Sequence, residues 1–212
     1  AEVSADFSEC LWKECPKKVA KTRKYIVDEE NPRVATKMKG YGYCATVGNI
    51  SLPQNKVTSW AVKVLGLGLG FYIGVAPSDI DQNKEFIHMM CGWYFDCCNS
   101  RLWSGPPHSY RGKDYGPRKE KGEYVHIGDR VGVVVDTTKG ELSFVLGGVN
   151  LGTAYDGIPL DKPLVPCVLL YQEDFVELDT TEVNETKVSS SVPVPSNITA
   201  KSITRDSITL SW

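Results

Sequence analysis

No apolar run in this sequence approaches the roughly 20 residues needed to span a bilayer. The opening residues, AEVSADFSEC, lack a basic region followed by an apolar stretch, so neither a membrane span nor a signal peptide is expected. An excess of charge of one sign is lacking as well. A formal net charge of −2 and a pI near 6.0 give no reason to expect a nucleic-acid or anionic-membrane partner. Histidine is limited to His88, His108 and His126, which lie in or beside loops at no nucleophile–base spacing, and no Gly-x-Ser-x-Gly elbow occurs. The seven cysteines contain no Cys-x-x-Cys pair and no Cys/His cluster with zinc spacing, so no catalytic residue, metal site or cofactor is expected. An odd, irregularly spaced set reads as reduced thiols, with Cys44 and Cys167 as small core residues and the adjacent Cys97 and Cys98 both free. A cytoplasmic setting follows. The sequons at Asn49, Asn184 and Asn197 point the other way, but weakly, in a Ser/Thr-rich chain.

What the sequence does have is strand texture. Arg130 to Asp136 is a β-branched run, Thr137 to Gly140 is turn chemistry, and Glu141 to Leu146 alternates polar with apolar side chains. Gly147-Gly148 then leads into Val149 to Leu151, which completes a three-strand meander. Because Val131, Val133 and Val135 face opposite to Val134, the first of these strands is expected to be covered on both sides. Tyr43 to Val47, Lys56 to Leu65, Gly70 to Ala76 and Cys91 to Cys98 also read as strands, with Trp60 and Trp93 as core anchors. The run Leu65 to Gly70, LGLGLG, reads as a hairpin turn, since a phosphate cradle needs a helix after the glycines and here a strand follows. Arg101 to Tyr124 reads as a surface loop and Val125 to Ile127 as a return to the sheet. Leu164 to Leu170 is a buried strand, and Phe175 to Leu178 is expected to pair beside it after the turn Gln172-Glu173-Asp174. About ten strands at short intervals, with almost no helical periodicity, make an all-β sandwich.

The two ends differ from this middle. Residues 1 to 40 mix charges with the apolar anchors Phe7, Leu11, Trp12, Tyr25 and Val27, and are expected to form short strands and turns laid over the sandwich. The charged run Lys17 to Lys24 reads as a solvated loop or single helical turn. Composition shifts at Asp179, and residues 180 to 194 have the polar, Ser/Thr-rich character of a linker.

Five stretches in order, IGVA (73–76), Gly92-Trp93, GDRVGVVVD (128–136), GELSFVLGGVNLG (140–152) and LVPCVLL (164–170), resemble the SPRY domain. Residues 1–40 resemble the PRY segment that precedes SPRY cores of B30.2 type. The resemblance implies a bent two-sheet antiparallel β-sandwich with its core at 41–179. VPSNIT (194–199) followed by DSITLSW (206–212) resembles the first two strands of a fibronectin type III domain. Residues 195–212 are therefore expected to be a strand pair from an incomplete second module, and the chain a piece of a longer multidomain protein.

The resemblance implies a non-enzymatic protein-interaction module, often part of a ubiquitin ligase or scaffold, that binds a partner protein or short peptide through loops at one end of the sandwich. Carried over from SPRY proteins with a SOCS box, the contact positions fall at Pro32 and Ala35, at Gly68 and Leu69, near Phe86, and at Tyr171 and Gln172. Arg33 is the best single charge candidate. Phe86 in place of a tyrosine, Leu69 in place of a small polar residue and Tyr171-Gln172 in place of Trp-Gly depart from that subfamily, so its acidic, Asn-rich peptides are not the expected ligand. Two other readings stand beside this one: a structural unit packed against neighbouring domains, and a carbohydrate-binding sandwich using Trp103 with Asn99 and Arg101.

Overall fold

β-branched and aromatic residues at alternate positions drive this chain into strands, and the strands pack as two facing antiparallel sheets. The computed structural model describes residues 6–68, 70–83, 91–116 and 125–183, and the backbone alone of 199–203 and 208–211. Leu69, Phe86, His88, the sequons at Asn184 and Asn197 and most of the expected linker lie outside the described residues.

In chain order the strands are β1 (Tyr25–Val27), β2 (Val34–Lys37), β3 (Cys44–Val47), β4 (Val57–Gly66), β5 (Tyr72–Pro77), β6 (Trp93–Asp96), β7 (Arg101–Ser104) and β8 (Arg111–Asp114). They continue as β9 (Arg130–Asp136), β10 (Glu141–Leu146), β11 (Val149–Tyr155), β12 (Leu164–Leu170), β13 (Phe175–Asp179), β14 (Thr199–Ile203) and β15 (Ile208–Ser211). One sheet has the order β1-β2-β13-β4-β9-β10-β11 and the other β3-β12-β5-β6-β7-β8, while β14 and β15 pair with each other in a sheet of their own. The core between the sheets holds Trp60, Phe71, Phe95, Phe144 and Val133, all fully buried, with Trp12 edge-on to Trp60 at 6.5 Å. Trp93, Cys44 and Cys167 are buried as expected.

Five expectations need correction. Arg101–Ser104 and Arg111–Asp114 are strands at the edge of the six-stranded sheet, within what reads as a loop. Val125–Ile127 does not return to a sheet, because the backbone of His126 is taken up by a turn: its N–H donates to the Asp129 carboxylate (2.7 Å) and its carbonyl accepts from Asp129 N (3.1 Å). The N-terminal strands do not lie over the sandwich; β1 and β2 extend the seven-stranded sheet through β13. Finally, LGLGLG is not a hairpin turn and β13 does not pair beside β12. Strand β4 belongs to one sheet and β5 to the other, and the same holds for β13 and β12, so both connections cross between sheets.

These two crossings run side by side, because β4 pairs with β13 and β5 with β12. The Asp174 carboxylate, fully buried, ties them together. It accepts from Gly68 N (2.9 Å) and Gly70 N in one crossing and from Tyr171 N (2.7 Å) in the other. Contact there is close enough that a Cβ at Gly68 would stand 1.7 Å from the Gln172 carbonyl oxygen, and the second crossing turns through positive φ at Gln172 and Glu173. Glycine is required at position 68 by the backbone it touches.

The outer face of the seven-stranded sheet is covered by the chain leaving β13. Arg130 holds Asp179 (2.6 Å) and Thr181, Val183 N donates to Ser59 Oγ (3.0 Å), and the Val183 side chain packs with Ala61, Val134 and Val145 over Gly132. Val134 thus has cover on the face opposite Val131, Val133 and Val135, as the valine pattern requires.

Two predictions follow from these contacts. A Cβ at Gly132 would meet Val183 Cγ1 at 2.8 Å, so Gly132→Ala is expected to cost about 1–3 kcal/mol in urea denaturation. Val183→Ala in the same chain should recover part of that loss, whereas strictly additive losses would show that the two do not touch. The second concerns pH. Burial raises the Asp174 carboxyl to about 6 from an ordinary 3.8, against the opposing pull of its three N–H donors and of Lys37. A raised folded-state value means that the contribution to stability is complete below pH 4 and is lost as pH rises through 6. Relative to Asp174→Asn, the wild type should therefore lose on the order of 3 kcal/mol between pH 4 and pH 7. A stability gap that instead moves in the wild type's favour over that range would mean that the donors outweigh burial.

Candidate functional site

The end of the sandwich at which the two crossings meet carries Gly68, Tyr171 and Gln172 together. Next to them runs the connection from β2 to β3. Lys37, at the end of β2, is buried, and its ammonium donates to the carbonyls of Thr22 (2.8 Å), Met38 (2.8 Å) and Gly40 (3.3 Å). Its backbone N–H donates to the Asp174 carbonyl at 2.9 Å. One buried lysine therefore fixes the shape of the Met38–Gly40 turn and anchors it to the β12–β13 crossing. Between this turn and Gln172–Glu173 lies a cleft of about 240 Å³ lined by Lys39, Gly40, Tyr41, Gln172 and Glu173. Tyr41 is 77% exposed at its rim.

Tyr171 is half-buried beside this cleft. Its ring meets Tyr43 at 4.7 Å, Tyr43 meets Tyr72 at 5.1 Å, and Tyr72 meets Trp103 at 6.4 Å, which forms a row of aromatic rings along the outer face of the six-stranded sheet. Such ring contacts add about 0.5–1.5 kcal/mol each beyond burial and make the neighbourhood stiff.

The remaining positions lie elsewhere. Ala35 is fully buried in β2, paired with Val27 and Val176, and its side chain does not reach the surface. Pro32 and Arg33 precede β2, at the end remote from Lys37 and about 13 Å along the strand from it. Pro32 accepts from Trp12 N at 3.1 Å. The Arg33 guanidinium is engaged within the domain, donating to Ser8 O (2.6 Å) and Thr180 Oγ1 (3.2 Å). Leu69 and Phe86 are outside the described residues. Lys39, Gly40, Tyr41 and Glu173 are cleft residues that sequence reasoning missed. Their signal was the glycine-bracketed Gly40-Tyr41-Gly42, an aromatic in turn chemistry just before a strand.

The cluster weighed for sugar binding is tied up internally. Asn99 donates to Asp96 (2.9 Å), Arg101 pairs with Asp114 (3.7 Å), and Trp103 is half-buried against Tyr72. A broader depression of about 680 Å³, lined by Asn49–Gln54, Lys56 and Pro163, lies at the opposite end of β12 and holds none of the predicted positions.

Groups with reactive potential are quiet. Burial pushes the thiols of Cys44 and Cys167 up to about 12 and that of Cys98 to about 11, so they stay protonated at neutral pH. His108 Nε2 faces the Asp156 carbonyl at 2.6 Å, and its ring is enclosed by Tyr110 and Tyr155. Among the described residues, no three His, Cys, Asp or Glu side chains converge as metal ligands, and no helix is long and apolar enough to cross a membrane.

Comparison with solved structures supports the architecture. The SPRY domain of human HERC1 superposes with a TM-score of 0.55 at 17% identity, over 74% of this chain and 93% of that one. The TRIM65 PSpry domain gives 0.55 at 13% identity over 80% and 90%, and a further human SPRY domain gives 0.54 at 13% over 74% and 96%. No curated protein matches the sequence significantly. SPRY domains are typically protein-interaction modules and generally non-catalytic. The SPRY family profile matches residues 57–181, over half of the sequence, and with the two-sheet architecture this establishes the chain as a member of the SPRY domain family.

Proposed function

We propose that this chain is a non-enzymatic module that binds a partner protein or short peptide at the end of the sandwich formed by the Lys39–Tyr41 turn and the Gly68 and Tyr171–Glu173 crossings. The observation that carries this reading is the cleft between Tyr41 and Gln172, whose walls are held by buried charge: Lys37 under one, Asp174 under the other. Walls already fixed need little ordering when a partner arrives, which lowers the entropic cost of binding. Tyr41 supplies an exposed aromatic of the type that dominates interface energetics.

Of the positions carried over from SOCS-box relatives, Gly68, Tyr171 and Gln172 belong to this surface in our reading. Residues 1–40 are read as a PRY segment of B30.2 type, which the extension of the seven-stranded sheet by β1 and β2 supports. Residues 195–212 are read as the start of a fibronectin type III module, supported by the antiparallel pairing of β14 with β15. The module then works within a larger cytoplasmic scaffold or ubiquitin-ligase-type protein.

The test is a peptide array probed with the wild-type chain, Tyr41→Ala and Gln172→Arg. Both substitutions should cut binding about tenfold or more, in keeping with loss of a central aromatic or blocking of a cleft, while the urea midpoint stays within error. Peptide binding that both variants retain would move the binding surface elsewhere on the domain.

A further inference from the structure

The basic run near the N-terminus packs its backbone into the fold and leaves its lysines at least partly exposed. Residues 13–24 carry Lys13, Lys17, Lys18, Lys21, Arg23 and Lys24 against the single carboxylate of Glu14, in a chain whose net charge is −2. Lys21–Arg23 is one turn of 3-10 helix, and it lies against the loop that walls the cleft. A Cβ at Gly40 would stand 2.9 Å from Thr22 Cα, Met38 N donates to Lys24 O at 3.0 Å, and Lys37 bridges the carbonyls of Thr22 and Gly40. This brings Lys21 and Lys24 beside Lys39, which itself lines the cleft. None of the three forms an ion pair among the described residues.

A second observation is a further cation buried beneath the same loop. Arg23 is buried, only 8% exposed, with a single hydrogen bond from its guanidinium, to the Asn83 carbonyl (3.0 Å). Its Nε and second terminal nitrogen are buried without a partner among the described residues. Gly42 lies on its stem, so this cation sits under the same Met38–Gly42 loop as Lys37. Burying a cation with so few acceptors is costly. Arg23, with a backbone carbonyl as its hydrogen-bond partner, lies below the exposed Lys21 and Lys39 and the half-exposed Lys24, while Asp174 offsets part of the charge of Lys37; the balance makes this side of the cleft a local positive field.

We infer that the partner of this surface is an acidic protein segment, whose carboxylates meet Lys21, Lys24 and Lys39 along one side of the cleft. This rests on the cleft being the binding face. The lysines concerned lie outside the positions carried over from SOCS-box relatives. A protein segment is favoured over nucleic acid because Glu173 lines the opposite wall of the cleft and Glu14 interrupts the run; both repel an evenly charged phosphate chain, while separated carboxylates can avoid them.

The test uses the whole chain and its Lys21→Glu/Lys24→Glu/Lys39→Glu variant, with Tm as a folding control. The probes are a fluorescein-labelled hexaglutamate peptide, its hexaglutamine counterpart and an oligothymidine of equal charge. Hexaglutamate should bind the wild type more tightly than hexaglutamine, weaken about tenfold or more on charge reversal, and weaken again between about 50 and 300 mM salt. Equal binding of the two peptides, undiminished binding by the reversed variant, or no measurable hexaglutamate binding would each overturn the acidic partner. Tighter binding of oligothymidine than of hexaglutamate would overturn it in favour of nucleic acid. Tyr41→Ala and Gln172→Arg on the peptide array report on the cleft separately, so a loss there with charge-independent binding removes the acidic partner and keeps the binding face.

Discussion

The buried carboxylate of Asp174 is the constraint on which the rest of this architecture depends. A two-sheet sandwich must pass its chain from one sheet to the other, and each passage leaves backbone N–H groups with no ladder to join. Here two passages run in contact, and one side chain accepts from both. Removing the acceptor would leave buried donors unpaired in both crossings at once, at about 1–3 kcal/mol for each group. The Gly68 backbone and the Gln172 carbonyl can then touch only because no side chain stands between them. A stiff end of the molecule results, and the cleft opens on it.

The strands themselves were legible. Arg130–Asp136 and Leu164–Leu170 stand where the β-branched runs place them, and the valine alternation correctly required cover on both faces of β9. What alternation cannot report is the sheet to which a strand belongs. A run such as LGLGLG has the composition of a hairpin whether it folds back or crosses over, and the deciding partner, Asp174, lies 106 residues away from Gly68. The same blindness made β13 look like a neighbour of β12. Local turn chemistry fixes how tightly the chain bends; where it goes next is fixed by contacts remote in sequence.

The candidate site was legible in part for a related reason. Gly68, Tyr171 and Gln172 were reachable because motif positions near crossings keep their order along the chain. Arg33 was not separable from a surface arginine by sequence, since its engagement with Ser8 and Thr180 joins residues 25 and 147 positions apart. Lys39 and Tyr41 gave only a glycine-bracketed aromatic as a signal, and nothing local announced that Lys37 would be buried beneath them.

Arginines and lysines here fall into two groups with different consequences. Arg130 spends its charge inside the domain on Asp179, and with Arg33, which donates to Thr180, it clamps the chain leaving β13. Arg23 is buried with one carbonyl as its hydrogen-bond partner among the described residues, which does not cancel its charge, and Lys37 donates to three carbonyls with only part of its charge offset by Asp174. A carbonyl oxygen is a dipole whose field falls off faster with distance than that of an ion, so the positive charge is still felt at the loop above. The loop that walls the cleft is thus held in shape by the same groups that make it electropositive. Rigidity and polarity cannot be tuned independently at this end of the sandwich, and a partner that fits the cleft must also suit its charge.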